Sequence, residues 1–224
     1  AFAAGFGSVR QFNDTIRSVF ATSPTALRTA RHPNIRSDGG AHRDHDSESR
    51  AGVGGGVRGG WSAIAVRLPV RQPFAAEAVM AFIGERAIGA TESWDGVTYR
   101  RSLDLPGGPG VVGLVAHDDH VAARLALTSW GDLAAAVQRI RRLLDLDADP
   151  TAVDEALGRD PVMRTLVTAV PGRRSPASVD AFETAVRAVI GQQVSVAGAR
   201  TVASRIVEAV GTPIDAVDVS FDAV

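Results

Sequence analysis

Residues 179–203 read VDAFETAVRAVIGQQVSVAGARTVA, and two helices with a tight junction account for the whole stretch. Asp180 is a favoured N-cap residue and Glu183 stands three places on, the signature of a capping box. Val179, Phe182, Val186 and Val189 recur at helical spacing and predict one apolar face on a helix running to about Ile190. Gly191 breaks the pattern and Gln192-Gln193 follows. Ser195 then suits the cap of a second helix, which Gly211 ends with Pro213 beyond.

The same punctuation continues upstream. Asp149-Pro150 and Asp160-Pro161 each pair an N-cap with proline at the first helical position, and Gly158 closes the first of these helices. Leu133, Val137, Ile140 and Leu144 place an apolar face on a helix after Gly131. Before Gly131 the period changes. Ile64, Val66, Leu68 and Val70 alternate as in a strand, and Pro69 confines that strand to a sheet edge. Residues 73–90 have helical spacing at Ala75, Val79, Phe82 and Ile83, with Gly89 as the stop. Residues 98–105, 111–117 and 121–128 read as three strands. Residues 106–110 (PGGPG) are a hairpin turn rather than a phosphate loop, because they join two strands and no Lys-Ser/Thr follows. The fold class is therefore α+β: a small antiparallel sheet with helices over 62–130, then an all-helical stretch over 131–224.

Composition narrows the function classes. The 224 residues are 45% hydrophobic and 22% charged, a globular profile, and a cytoplasmic location is the expectation. No apolar run is long enough to span a membrane and no signal peptide is visible, so no membrane partner is expected. The absence of cysteine excludes disulfides, zinc–thiolate sites and thiol catalysis within these residues. Residues 1–60 carry 8 Arg against 5 acidic residues, whereas the rest is net acidic. Residues 1–30 read as a basic helical segment. Residues 31–61 are rich in Gly, Arg, Asp and His and read as a flexible linker. His32, His42 and His45 lie in that linker, where nothing rigid holds them, so no metal site is assigned. The chain begins with Ala inside a helical pattern and reads as a piece of a longer protein.

Specific blocks carry a resemblance. Asp180-Ala181-Phe182-Glu183, Val186-Arg187-Ala188, Gly191-Gln192 and Val194-Ser195-Val196-Ala197 resemble the AlkA-type 3-methyladenine DNA glycosylases of the helix-hairpin-helix superfamily. Leu144-Asp145-Leu146, Ala156-Leu157-Gly158-Arg159, Ala81-Phe82 with Arg86-Ala87, and Tyr99 through Leu103 extend the likeness to about Ala63–Ala216. The resemblance implies repair of alkylated DNA. Such enzymes flip a damaged base out of the duplex and hydrolyse its N-glycosylic bond, because the bond is inaccessible in stacked DNA. No cofactor is implied. The expected partner is double-stranded DNA containing alkylated bases, and a monomer is expected.

The resemblance also assigns sites. It places Gln192 beside the flipped-base pocket and Gln193 where family members put the wedge that fills the gap in the stack; some members carry Leu there. It places Phe82 in the cleft, as an aromatic face for a cationic base. Each residue also has an ordinary reading: core packing for Phe82, capping of backbone groups for the two glutamines. No catalytic residue is assigned within the chain. The hairpin and the catalytic Asp of the family are expected beyond Val224, so these residues alone are expected to be inactive. Asp215, Asp218 and Asp222 read as solvated or capping residues.

Residues 1–28 resemble the last part of an AraC-type helix-turn-helix domain, through Ala3-Ala4-Gly5-Phe6-Gly7-Ser8, Phe12, Phe20, Thr22, Pro24 and Arg28. Ser8 caps a helix on this reading, and Arg10, Gln11 and Asn13 face the major groove, with promoter DNA as a further partner. The two resemblances together are similar to fusions of the Ada regulator with AlkA. The alternative reading is a regulator of the methylation response whose appended portion binds damaged DNA without cleaving it.

Overall fold

A computed structural model describes residues 60–214, Val219 and a few positions among the first 25. The linker reading of 31–61, with His32, His42 and His45, falls almost wholly outside the described residues, as do Gln11, Asp215, Asp218 and Asp222.

Five antiparallel strands form one sheet: β1 (Ser62–Pro69), β2 (Glu92–Trp94), β3 (Tyr99–Leu105), β4 (Gly108–Ala116) and β5 (His120–Leu127). Their spatial order is β1-β5-β4-β3-β2, so β1 lies at an edge, as Pro69 requires. Register follows the alternation. Ile64, Leu125, Val112, Arg101 and Glu92 are successive cross-strand partners in one row, on the face that bears the core. In β3 the inward positions are Tyr99, Arg101, Leu103 and Leu105, all buried. Leu105 pairs with Gly108 across a tight Pro106-Gly107 turn, as expected of that stretch. The turn is tied down by Asp132, whose Oδ2 accepts the Gly107 N–H at 2.8 Å.

Helix α1 (Ala76–Glu85) connects β1 to β2, and α2 (Leu133–Leu143) follows the sheet. Val79, Met80 and Ile83 of α1 and Ala136, Ile140 and Leu143 of α2 share one core cluster with the inward faces of β1, β3, β4 and β5. The first helix beyond residue 131 therefore belongs to the same hydrophobic core as the sheet. Gly84 lets α1 close on the sheet edge, since a Cβ there would run into the Trp94 indole. Helix α1 stops at Glu85, four residues before Gly89, because residues 86–91 turn to feed the short strand β2, which has no clear periodic signal. On the opposite face Trp61 and Ala126 pack with Val219.

Four more helices follow: α3 (Pro150–Leu157), α4 (Pro161–Ala169), α5 (Ala181–Ile190) and α6 (Val196–Val210). Their starts are the predicted caps. Asp149 accepts from the Ala152 N–H, Asp160 from those of Val162 and Met163, Asp180 from that of Glu183 and Ser195 from that of Gly198. The predicted apolar stripe of α5 is divided. Val179 is buried in the core, but Phe182 is 78% and Val189 73% exposed. Val162, Leu166, Ile206 and Val210 are exposed as well. The side of α5 that meets the sheet carries Glu183 and Arg187.

Candidate functional site

The polar side of α5 begins with Glu183. Its backbone N–H bonds to Asp180, but its carboxylate does not turn back to complete a capping box. It crosses to the sheet instead, accepting from Arg101 Nη2 at 2.7 Å and from Arg187 Nε at 2.8 Å. Arg101 also donates to Glu92 at 3.0 Å, and Arg187 Nη2 lies 2.7 Å from the other Glu92 oxygen. Two glutamates and two arginines thus alternate in a closed ring. The Arg101 and Glu92 side chains are only 4% and 3% exposed. The Tyr99 hydroxyl and the Ile88 N–H add two further hydrogen bonds to Glu92, at 2.6 and 2.7 Å. A buried charge is tolerated only when paired and hydrogen-bonded, and this ring meets that condition.

The electrostatics agree. Burial disfavours the Arg101 cation, but the carboxylates of Glu183 and Glu92 outweigh it and hold its pKa above the ordinary value. Burial pushes Glu183 up, yet the two guanidiniums bring its carboxyl below the usual range. Burial and then the Glu92 charge raise the Tyr99 hydroxyl far above its usual value, so it acts as a neutral donor.

Around this ring lie the residues singled out from the sequence. Phe82, on α1, is 43% exposed and lies outside the core cluster. One face of its ring is covered by the Arg86 guanidinium, centred 3.8 Å from the ring centroid, so a cationic ligand must displace Arg86 or use the other face. Phe82 lines a cavity of about 160 Å³ together with Arg86, Tyr99, Arg101, Glu183 and Arg187. Arg86 also lines a second, more apolar cavity of about 210 Å³, with Ile88, Ile190, Gly191, Val194 and Arg200. Gly191 and Val194 flank the two glutamines. The structure thus brings the turn carrying Gln192 and Gln193 to a cavity that adjoins the one lined by Phe82, with Arg86 and Arg187 common to both.

Gln192 and Gln193 are exposed, and neither side chain hydrogen-bonds to another described residue. Their side chains close neither helix end: the backbone N–H groups of Gly191 and Gln192 bond to the last carbonyls of α5, and the Ser195 hydroxyl caps α6. In the amino-terminal segment Ser8 and Arg10 are exposed and Asn13 is half-buried; Arg10, Asn13, Asp14 and Arg17 are helical. Arg10 lies 3.8 Å from Asp14, a surface pair of little energetic weight.

Sequence reasoning missed the charged ring, although a signal was present. Arg101 occupies an inward position of β3 between Tyr99 and Leu103, and an arginine on a core-facing row demands a buried acid.

Comparison with known proteins agrees with this architecture. Residues 65–180 match the family described as the AlkA N-terminal domain. A protein of Mycobacterium tuberculosis named as a probable bifunctional transcriptional activator/DNA repair enzyme AlkA is 46% identical over 215 residues, covering 96% of this chain and 39% of that protein. DNA-3-methyladenine glycosylase 2 of Escherichia coli is 34% identical over 139 residues, covering 61% of this chain and 47% of the enzyme. The chain therefore spans less than half the length of these relatives. A 3-methyladenine DNA-glycosylase structure from Archaeoglobus fulgidus shares the fold with a TM-score of 0.55 and 21% identity, over 63% of this chain and 49% of its own. With an antiparallel sheet, the α1 and α2 layer and a family match running through the first helices, the chain belongs to the AlkA N-terminal domain family.

Proposed function

We propose that this chain supplies the front part of a base-excision DNA glycosylase for alkylated bases, joined to a DNA-binding regulator segment. On this reading the protein hydrolyses the N-glycosylic bond of 3-methyladenine and related bases after flipping them from duplex DNA. Gln192 borders the flipped-base pocket, Gln193 enters the gap in the stack and Phe82 contributes an aromatic wall. The observation that carries the reading is the Gln192-Gln193 turn, whose side chains are exposed and cap neither helix, beside a cavity lined by Arg86. A glutamine in that position fills the vacated space and offers an amide to the orphaned base.

The N-terminal residues supply the second half of the proposal. The mycobacterial relative, named as both activator and repair enzyme, matches nearly the whole chain. Ser8, Arg10, Gln11 and Asn13 are accordingly assigned to promoter DNA. A regulator that binds damaged DNA without cleaving it is the competing reading.

The test uses the polypeptide that carries these residues, isolated at its natural length. Incubation with methylated duplex DNA, followed by chromatography of the free bases, should show release of 3-methyladenine well above the spontaneous rate. Tight binding of the damaged duplex without release would establish the regulator reading instead.

A further inference from the structure

We propose that Glu183 is a positioning residue: through Arg101 and Arg187 it fixes α5 on the sheet and so sets where the Gln192-Gln193 turn stands relative to Phe82. This rests on the functional reading above. Three observations lead to it.

First, the ring joins three elements. Glu92 comes from β2, Arg101 from β3, and Glu183 and Arg187 from α5. The Arg101–Glu183 contact spans 82 residues of sequence. Secondly, the side of α5 that meets the sheet carries Glu183 and Arg187, which bond to Arg101 and Glu92, and such charge-assisted bonds are directional. Buried ion pairs add little net stability over apolar packing, but they specify geometry. Thirdly, the two helices reach the segment just beyond Phe82. Arg187 Nη1 donates to the Arg86 carbonyl at 3.3 Å and Arg200 Nε to the Ala87 carbonyl at 2.8 Å. The aromatic wall and the glutamine turn therefore share one set of struts.

Helix geometry gives the lever. Glu183 and Gln192 are nine residues apart, about 13 Å along the axis at the helical rise. A tilt of roughly 10° about Glu183 moves the turn by about 2 Å. A misplacement of about 1 Å at a reacting site costs on the order of 10²-fold in rate.

The experiment uses the natural-length polypeptide, with any cysteine outside these residues replaced by serine. Cysteines introduced by Glu77→Cys on α1 and Ala197→Cys on α6, both exposed, carry spin labels whose separation is measured by pulsed electron resonance. Glu183→Gln should shift or broaden that distance by about 2 Å and lower the single-turnover excision rate roughly 10- to 100-fold. Its Kd for undamaged duplex should stay within about threefold. Glu183→Asp keeps the charge and shortens the reach; it should fall between wild type and Glu183→Gln, and it replaces that variant if Glu183→Gln does not fold. Val121→Ala, destabilised through core packing away from the ring, should keep both distance and rate. An unchanged distance in the Glu183 variants overturns the proposal, as does a moved turn with an unchanged rate. An equal loss of rate in Val121→Ala also overturns it. If the wild type releases no base, the glycosylase reading fails, while the label distance still decides whether Glu183 sets the turn.

Discussion

Replacing Arg101 by methionine removes the central cation of the ring while keeping most of its volume. The structure sets the size of the effect. Arg101 is the direct partner of Glu92, whose side chain is 3% exposed, and of Glu183, which is 27% exposed. Arg187 remains, but one guanidinium then faces two carboxylates. Removing one partner of a buried pair costs about 3–5 kcal/mol, because it strands the other charge. For a chain of this size each kcal/mol lowers Tm by about 2–4 °C, so the expected fall is roughly 6–20 °C. Thermal and urea unfolding followed by circular dichroism at pH 7 measure it. Acidification should recover part of the loss, because a protonated Glu183 no longer needs the missing cation. A fall of less than about 1 kcal/mol would show instead that these charges are solvated and the ring carries no such weight.

Five other outcomes follow from the structure. The folded pKa of Glu183 lies below its unfolded value, so its stabilising contribution is complete above the ordinary glutamate range. That contribution is lost as pH falls through the lowered pKa. Glu183→Gln should therefore flatten the acid limb of a stability–pH curve. Asp95 behaves likewise at lower pH: hydrogen bonds from Thr98, Arg100 and Val97 bring it to about 2, so Asp95→Asn should act between its unfolded value and about 2. Phe82→Ala should cost less than about 1 kcal/mol, because the ring is half-exposed and outside the core, yet slow excision at least about tenfold; equal excision by the two proteins would remove Phe82 from the site. Gln193→Leu should leave stability within about 0.5 kcal/mol and change the Kd for an abasic-site duplex; an unaltered Kd would deny the turn a wedge role. Ser195→Ala should cost about 1 kcal/mol by removing the cap on the Gly198 N–H, read from urea unfolding.

Much of the fold was legible because its signals are local. Asp149-Pro150, Asp160-Pro161, Asp180 and Ser195 all cap helices as their residue types dictate. Pro69 placed β1 at an edge before any partner strand was known. The Pro106-Gly107 turn was readable from composition between two alternating runs. Strand β2 was not, because three residues carry no period. The end of α1 was misjudged, since Gly89 is a stop signal only for a helix that reaches it, and this chain turns away after Glu85. For the candidate site the resemblance supplied an expectation, the Gln192-Gln193 turn and Phe82, but nothing in it indicated that Arg86 covers the ring.

The longer strands, the helix starts and their caps could be read from sequence, because each rests on neighbours within a few residues. Sequence by itself could not determine what each face meets. Glu183 reads as the closing half of a capping box, and only tertiary structure sends its carboxylate to Arg101, 82 residues away. The α5 stripe reads as a core face; within these residues Val179 enters the core, Phe182 and Val189 are exposed, and the side that meets the sheet carries Glu183 and Arg187. Periodicity encodes a face; what that face meets depends on partners far away in sequence.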